Sequence, residues 1–387
     1  MTTLLYETHW TDPADGWCRA SRAYARAMRD AGLDVHLHSW AAQREALDPT
    51  VLAEVGDMAR PMTKRRWDAY VFSTTLSSAE RMKMLCGQLH QYLPPRVLYT
   101  TFEREQVEPA IVELMNRLDG VWVPCNFNAE VLRAAGAERV SVFPHVFFPD
   151  DPLLALRRAP RPAGPPRFYW IGRWEPRKAP HNLVEAFCRA FRPGEALLTL
   201  KLGQLPWRGH YPGPEEIFAD KHPEWLEKAP FAVRVIRGRV PWATVQQLHA
   251  EHHVYVSASR GEGWDLPSFE AKLAGNRVVT TDSGGPRDFL GEGDIVVPRT
   301  GSVHADPHYH WGYGATYADY DVDALADAMR QAAAMPRPVP ADVLRFRADT
   351  VGHALRDYFE GLSAATPREE ELPEPATAFH EWLKEDR

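Results

Sequence analysis

Short apolar runs alternate with amphipathic stretches along almost the whole chain. In the first half the runs are Leu4–Tyr6, Leu33–His38, Ala69–Ser73, Val97–Thr101, Val121–Pro124 and Val140–Phe143. Their lengths and bounds read as buried strands. Ala20, Ala23, Tyr24, Ala27, Met28 and Ala31 recur at helical spacing, which predicts a helix over Trp17–Ala31, stopped by Gly32. Further helices are predicted over Glu105–Leu118 and Asn128–Ala135. Pro149 to Pro166 is rich in proline and arginine and reads as a connector.

Beyond it the pattern restarts. Strands are predicted at Phe168–Ile171, Leu197–Leu202, Ala232–Ile236, Val254–Ser257, Val278–Thr281 and Ile295–Val297. Helices are predicted at Asn182–Phe191, Trp242–His249, Pro267–Ala274, Arg287–Leu290 and Val322–Ala334, with a last one over Val343–Phe359. Alternation of this kind argues an α/β chain with parallel sheets and helices on both faces. At 387 residues the chain exceeds one ordinary core. Two doubly wound, Rossmann-like domains facing across a cleft are expected. The boundaries expected are a first domain at 1–150, a linker at 151–166 and a second domain at 167–337. A helix within 338–362 crosses back to the first domain, and 363–387 forms an acidic, proline-containing tail.

Composition narrows the function. Hydrophobic residues make up 44% and charged residues 25%, as in a soluble globular protein. The net charge of -7 gives no global attraction to nucleic acid or an anionic membrane. Local basic clusters, Lys64-Arg65-Arg66 and Arg157, Arg158, Arg161 and Arg167, read as solvated faces; lining a cleft, they would suit a polyanionic acceptor. The N-terminus lacks the basic start and apolar stretch of a signal peptide. No apolar run reaches the roughly 18 residues that span a bilayer. Cys18, Cys86, Cys125 and Cys188 form no CxxC pair, so reduced thiols and a cytoplasmic location are expected. The 13 tryptophans read mostly as buried packing, with some lining a pocket.

The candidate chemistry lies in the second half. In Arg260-Gly261-Glu262-Gly263-Trp264-Asp265-Leu266-Pro267-Ser268-Phe269-Glu270, a glycine-rich turn follows the strand Val254–Ser257 and opens a helix. Glu262 falls in the loop at the strand's carboxyl end, and Glu270 falls about one turn into the helix. Ligands bind at that edge of an open α/β sheet. Two acids there can hold the hydroxyls of a sugar and a ribose, while amides at the helix start face a phosphate. A second element, Ile171-Gly172-Arg173-Trp174-Glu175-Pro176-Arg177-Lys178-Ala179, follows the first strand of the same half. Arg173 and Lys178 can reach one anion across this turn, and the pair suits a diphosphate.

Together these motifs resemble the retaining glycosyltransferases of family 4, which have the GT-B fold. That family's pattern is Gly-Arg-x-x-x-x-Lys-Gly, then Glu-Gly-x-Gly-x-x-x-x-Glu. Here they stand as Gly172-Arg173 to Lys178-Ala179 and Glu262-Gly263-Trp264-Asp265 to Glu270. Val278–Gly285 is similar to the strand and glycine turn under the donor, and a looser likeness runs through Leu98–Glu103, Val123–Asn126 and Phe143–His145. The resemblance implies that Arg173 and Lys178 bind the diphosphate, beside Gly172. Glu262 would contact the transferred sugar and Glu270 the ribose. The amides of Gly263, Trp264, Asp265 and Leu266 would support sugar or phosphate, and Gly16 would approach the diphosphate from the first domain. Glu103 would face the acceptor. Three departures stand out: Asp265 replaces a glycine, Ala179 replaces another, and Asp12–Trp17 holds one glycine where many relatives have two.

The function so implied is transfer of a sugar from a nucleotide diphosphate sugar, a UDP- or GDP-sugar foremost, to an acceptor hydroxyl on a glycan, glycolipid or small molecule. No cofactor or metal is called for, since two cations already serve the diphosphate. Catalytic candidates are Glu262, Arg173, Lys178 and Glu103. Acceptor-side candidates are His9, Asp12, Asp15, Glu103 and His145. Other readings are an enzyme that glycosylates a modified base in DNA, a GT-B protein that binds a nucleotide sugar without catalysis, and a phosphorylase or epimerase of the same architecture. Peripheral membrane contact stays open. Asp150-Asp151 reads as linker, and the aromatic, His-rich stretch 304–317 as a packed or acceptor-lining loop.

Overall fold

The computed structural model describes residues 1–39, 47–59, 67–75, 95–203, 213–229, 231–304, 315–338 and 342–365. The Lys64-Arg65-Arg66 cluster, Cys86, the stretch 305–314 and the tail from 366 lie outside the described residues. In chain order the first half forms β1 (Thr3–Glu7), α1 (Gly16–Asp30), β2 (Asp34–His38), α2 (Pro49–Val55), β3 (Ala69–Ser73) and β4 (Arg96–Tyr99). Then come α3 (Pro109–Met115), β5 (Gly120–Val123), α4 (Asn126–Ala134) and β6 (Val140–Val142). All six strands are parallel, in the order β2-β1-β3-β4-β5-β6.

The second half forms β7 (Arg167–Gly172), α5 (Pro180–Ala190), β8 (Leu197–Leu202), α6 (Pro214–Lys221), α7 (Pro223–Lys228), β9 (Val233–Arg237), α8 (Trp242–Glu251) and β10 (Val254–Ser257). It continues with α9 (Leu266–Leu273), β11 (Arg277–Thr281), β12 (Ile295–Val297), β13 (Arg299–His304), β14 (Thr316–Tyr320), α10 (Val322–Ala334) and α11 (Ala348–Ala365). Its parallel sheet runs β12-β11-β10-β7-β8-β9, and β13 and β14 pair as an antiparallel hairpin. Two Rossmann-like sheets with flanking helices and a returning C-terminal helix make the GT-B fold.

The strand order places the motifs. Each sheet reverses direction beside its first strand, at β1/β3 and at β10/β7. Arg173 follows β7 and Glu262 follows β10, so the two motifs flank the reversal point, where such sheets bind ligands. The segment with His9, Asp12, Asp15 and Gly16 follows β1 at the other sheet's reversal point.

Local chemistry explains the elements. Asp15 caps α1 by accepting from the Cys18 amide at 3.0 Å. Gly32 follows the helix at a φ of +96°, where a side chain would be strained. The buried face of α1 holds Cys18, Ala20, Tyr24, Ala27 and Met28. Tyr24 packs edge-on against Trp122 at 4.7 Å and donates to the Phe143 carbonyl. Aromatic pairs of this kind contribute about 0.5–1.5 kcal/mol beyond area burial. Val351, Leu355 and Phe359 of α11 enter this same core. Gly352 lets α11 lie directly on the α1 backbone, because a Cβ there would meet the Ala27 carbonyl.

Several expectations change. The helix expected over Glu105–Leu118 is only Pro109–Met115. Pro109 disfavours helix at the residue before it, and the Glu105 amide instead donates to the Thr316 carbonyl. The helix expected over Arg287–Leu290 is a 3₁₀ turn, Gly285–Asp288. The connector is partly ordered: Pro152–Arg158 is a 3₁₀ turn, capped by Asp151 and anchored by buried Leu153. Two of its arginines are not a solvated face. Arg157 donates to the Leu273 carbonyl, and Arg161 to the carbonyls of His249, Ala250 and Ala274, each at 2.9 Å. They satisfy carbonyls at the C-terminal ends of α8 and α9. Among the described residues no helix is long and apolar enough to cross a membrane.

Candidate active site

β7 delivers Gly172 and Arg173 to the cleft. A Cβ on Gly172 would press on the Trp170 ring at 2.5 Å, so this position needs glycine. Arg173 points outward, with its side chain 57% exposed and its Nε 3.2 Å from Glu175 Oε2. The 3₁₀ turn Pro176–Lys178 then ends at Ala179, whose φ is +42°. The left-handed backbone for which glycine is best suited is thus kept by an alanine, at an expected cost of about 1–2 kcal/mol.

The next two side chains turn inward. Arg177, not singled out by sequence reasoning, is buried with Nη1 2.6 Å from the Gly261 carbonyl and 3.3 Å from Glu262 Oε1. Its Nη2 lies 2.9 Å from Glu175 Oε1 and 3.5 Å from Glu103 Oε1. Glu103 comes from the first domain, so one guanidinium joins both halves. Lys178 Nζ lies 2.5 Å from Glu262 Oε1 and 3.6 Å from Asp265 Oδ1. Burial opposes the Arg177 charge, but Glu103, Glu262 and Glu175 outweigh it and hold its pKa well above the usual value. Burial likewise pushes Glu262 up, yet Lys178 and Arg177 bring it below the ordinary carboxylate range. Asp265 is raised by burial despite Lys178.

The Glu262 loop is held from both sides. Its amide donates to the Ser283 carbonyl at 2.9 Å, and the Gly285 amide donates to its carbonyl at 2.8 Å. Gly261 lies directly against the Glu103 carbonyl, and Gly263 against Thr101 Oγ1 and the Phe102 carbonyl. A side chain at either glycine would part the domains. Trp264 turns its ring into an interdomain cluster with Phe269, Phe289 and Phe346. Leu266 Cδ1 lies 3.4 Å from where a Cβ on Gly16 would stand, which brings the β1 loop against the start of α9.

Glu270 is buried, with Arg19 Nη2 at 2.6 Å from the first domain and His249 Nε2 at 3.7 Å. Burial raises its pKa, but Arg19 and His249 more than reverse this. Asp12 forms a second cross-domain pair, with Arg239 at 2.6 Å. Asp15 is occupied as the α1 cap. His9 is half-buried just beyond β1. His145 is buried between the rings of Tyr24 and Trp264, at 5.4 and 5.3 Å. Burial alone lowers its pKa to about 3. Lys178, Glu262 and Asp265 thus come together, Arg177 links Glu262 to Glu103, Arg173 stays outside this cluster, Glu270 and Gly16 lie around the start of α9, and His145 is packed. Arg177 could have been noticed beside Lys178, and Arg19 one turn into α1; their partners could not.

On the other side of the Glu262 loop, a cavity of about 650 Å³ opens between the domains. Its lining includes Glu103, Glu105, Phe127, Arg260, Ser283 and Arg287. Ser283 Oγ is buried there with no hydrogen-bond partner among the described residues.

Residues 165–334 match the family model "Glycosyl transferases group 1". The second half of the chain thus carries a glycosyl transferase group 1 domain. No curated protein matches the chain. Among solved structures, Anabaena Alr3699/HepE in complex with UDP-glucose superposes with a TM-score of 0.61 at 14% identity, covering 94% of this chain and 100% of that one. The lipopolysaccharide outer core galactosyltransferase WaaB gives 0.63 at 14%, covering 93% and 99%. An α,α-trehalose-phosphate synthase (UDP-forming) from Burkholderia xenovorans, in complex with glucose-6-phosphate, gives 0.63 at 11%, covering 93% and 100%. At such identities the likeness speaks to the fold.

Proposed function

We propose that this protein transfers a sugar from a UDP- or GDP-linked donor to an acceptor hydroxyl with retention of the anomeric configuration. The observation that carries this reading is the convergence of Arg173, Lys178, Glu262 and Glu270 on the reversal point of one sheet. The Anabaena structure with UDP-glucose favours a uridine donor.

In this reading Arg173 and Lys178 take the diphosphate beside Gly172 and Gly16. Glu262 and the amides of Gly263 to Leu266 orient the sugar. Glu270 accepts the ribose hydroxyls once Arg19 moves aside. The bond from the anomeric carbon to the diphosphate oxygen breaks, and its electron pair leaves with the diphosphate. The acceptor oxygen bonds the same carbon on the same face, and its proton passes to the leaving phosphate. The two cations offset the charge that develops there, and closure of the domains excludes water. The acceptor approaches from the Glu103 side, where the 650 Å³ cavity offers room. Arg157 and Arg161 are engaged by backbone carbonyls, which takes away part of the support for a DNA acceptor.

The test is a thermal-shift panel with UDP, GDP, ADP, TDP and CDP and their sugars. One nucleotide family should stabilise the protein, by about 2.7 kcal/mol at one hundred times Kd, and Glu270→Ala and Arg173→Ala should abolish the effect. A protein that responds to no nucleotide is not this enzyme.

A further inference from the structure

Asp265 stands where the resemblance expects glycine. Its φ of +65° lies in the left-handed region. Asparagine and aspartate tolerate that region best after glycine. An aspartate at a helix start normally accepts from the helix amides, but here its side chain makes no such bond. One carboxylate oxygen accepts from the Ser268 hydroxyl. The other, Oδ1, has no hydrogen-bond partner among the described residues and lies 3.6 Å from Lys178 Nζ. The side chain is 1% exposed, so this charge is not placed there for solvent. Lys178 therefore sits between two carboxylates, with Glu262 Oε1 at 2.5 Å on the other side.

We infer that Asp265 is a positioning residue that holds the Lys178 ammonium beside Glu262, weakening this chain's grip on the donor diphosphate and leaving exposed Arg173 as its first contact. The inference rests on the donor reading above and deepens it. An ammonium shared by two buried acids is a poorer anion ligand than a free one, because reaching the diphosphate leaves Asp265 without its cation and Glu262 with Arg177 alone. A glycine at 265 would remove one of those acids.

The experiment measures calorimetric binding of the nucleoside, monophosphate and diphosphate of whichever base the thermal panel selects. The proteins are wild type, Asp265→Asn, Lys178→Gln and the double variant. Asparagine keeps the left-handed backbone and can still bond Ser268, so Asp265→Asn removes the charge with the least change of shape. Diphosphate binding should tighten about tenfold in Asp265→Asn, a change of about 1.4 kcal/mol. The monophosphate should gain less and the nucleoside nothing. In the Lys178→Gln background the gain should vanish. An unchanged or weaker diphosphate affinity, an equal gain for the nucleoside, or a gain that survives Lys178→Gln would each overturn the inference. Wild type binding no nucleotide would instead overturn the donor reading on which it stands.

Discussion

Arg19 of the first domain and Glu270 of the second pair at 2.6 Å, with the Arg19 guanidinium 4.1 Å above the Trp242 ring. The carboxylate proposed to receive the donor ribose is thus already engaged across the cleft. In that proposal, nucleotide binding and domain closure act on the same acid.

Replacing Arg19 exposes that competition through pH. Glu270 is held below its ordinary range against the opposing effect of burial, chiefly by Arg19. Its contribution to stability is present above the unfolded value of about 4.3 and is lost as pH falls through the lower folded value. In Arg19→Ala the folded value rises, so nucleotide binding should weaken at a higher pH than in wild type. Binding curves from pH 4 to 8 that overlay for the two proteins would count against this assignment.

Arg177→Ala removes the cation shared by Glu103, Glu175 and Glu262 and leaves buried acids uncompensated. Breaking such a buried group typically costs roughly 3–5 kcal/mol. The denaturation midpoint should fall accordingly, and Arg177→Lys should recover part of the loss. A midpoint that moves no more than that of a surface arginine variant would refute the central role given to Arg177.

Gly261→Ala places a methyl group against the Glu103 carbonyl and 2.9 Å from the Tyr317 ring. Backbone cannot yield there as a flexible side chain would, so the domains should part. A larger radius of gyration by solution scattering is expected, with turnover down about 10²-fold and the secondary structure intact by circular dichroism. An unchanged radius would mean that the loop adjusts locally instead.

Buried and half-buried histidines give stability a second pH dependence. Desolvation lowers His145 to about 3, and His181 and His252 to about 4. Unfolded histidine titrates near pH 6.5. Between these values the unfolded chain binds protons that the folded chain does not, so stability should rise with pH across that window. His145→Phe should flatten the rise in Tm between pH 5 and pH 7. An identical slope in the variant would show that His145 does not contribute.

Every strand of the two parallel sheets was legible in the sequence, from Leu4–Tyr6 to Ile295–Val297. The inner strands are buried on both faces and appear as continuous apolar runs, while the edge strand β9 alternates valine and isoleucine with exposed arginine. The hairpin of β13 and β14 was not, because Arg299–His304 is polar and largely exposed. Nor were α2, α6 and α7, short helices that each begin at a proline. Asp265 was legible as a departure, but the lack of a capping bond was not, since capping depends on backbone angles that residue type leaves open.

The sequence by itself determined the two sheets and the loops that carry Arg173, Lys178, Glu262 and Glu270, because burial period and turn chemistry are local. Only the tertiary structure decided the partners: Arg177 inward to three acids, Arg173 outward, Lys178 between Glu262 and Asp265, and Arg19 across the cleft onto Glu270. The strength of a charge interaction depends on distance and dielectric surroundings. For residues separated widely along the chain, both are set only when the two domains come together.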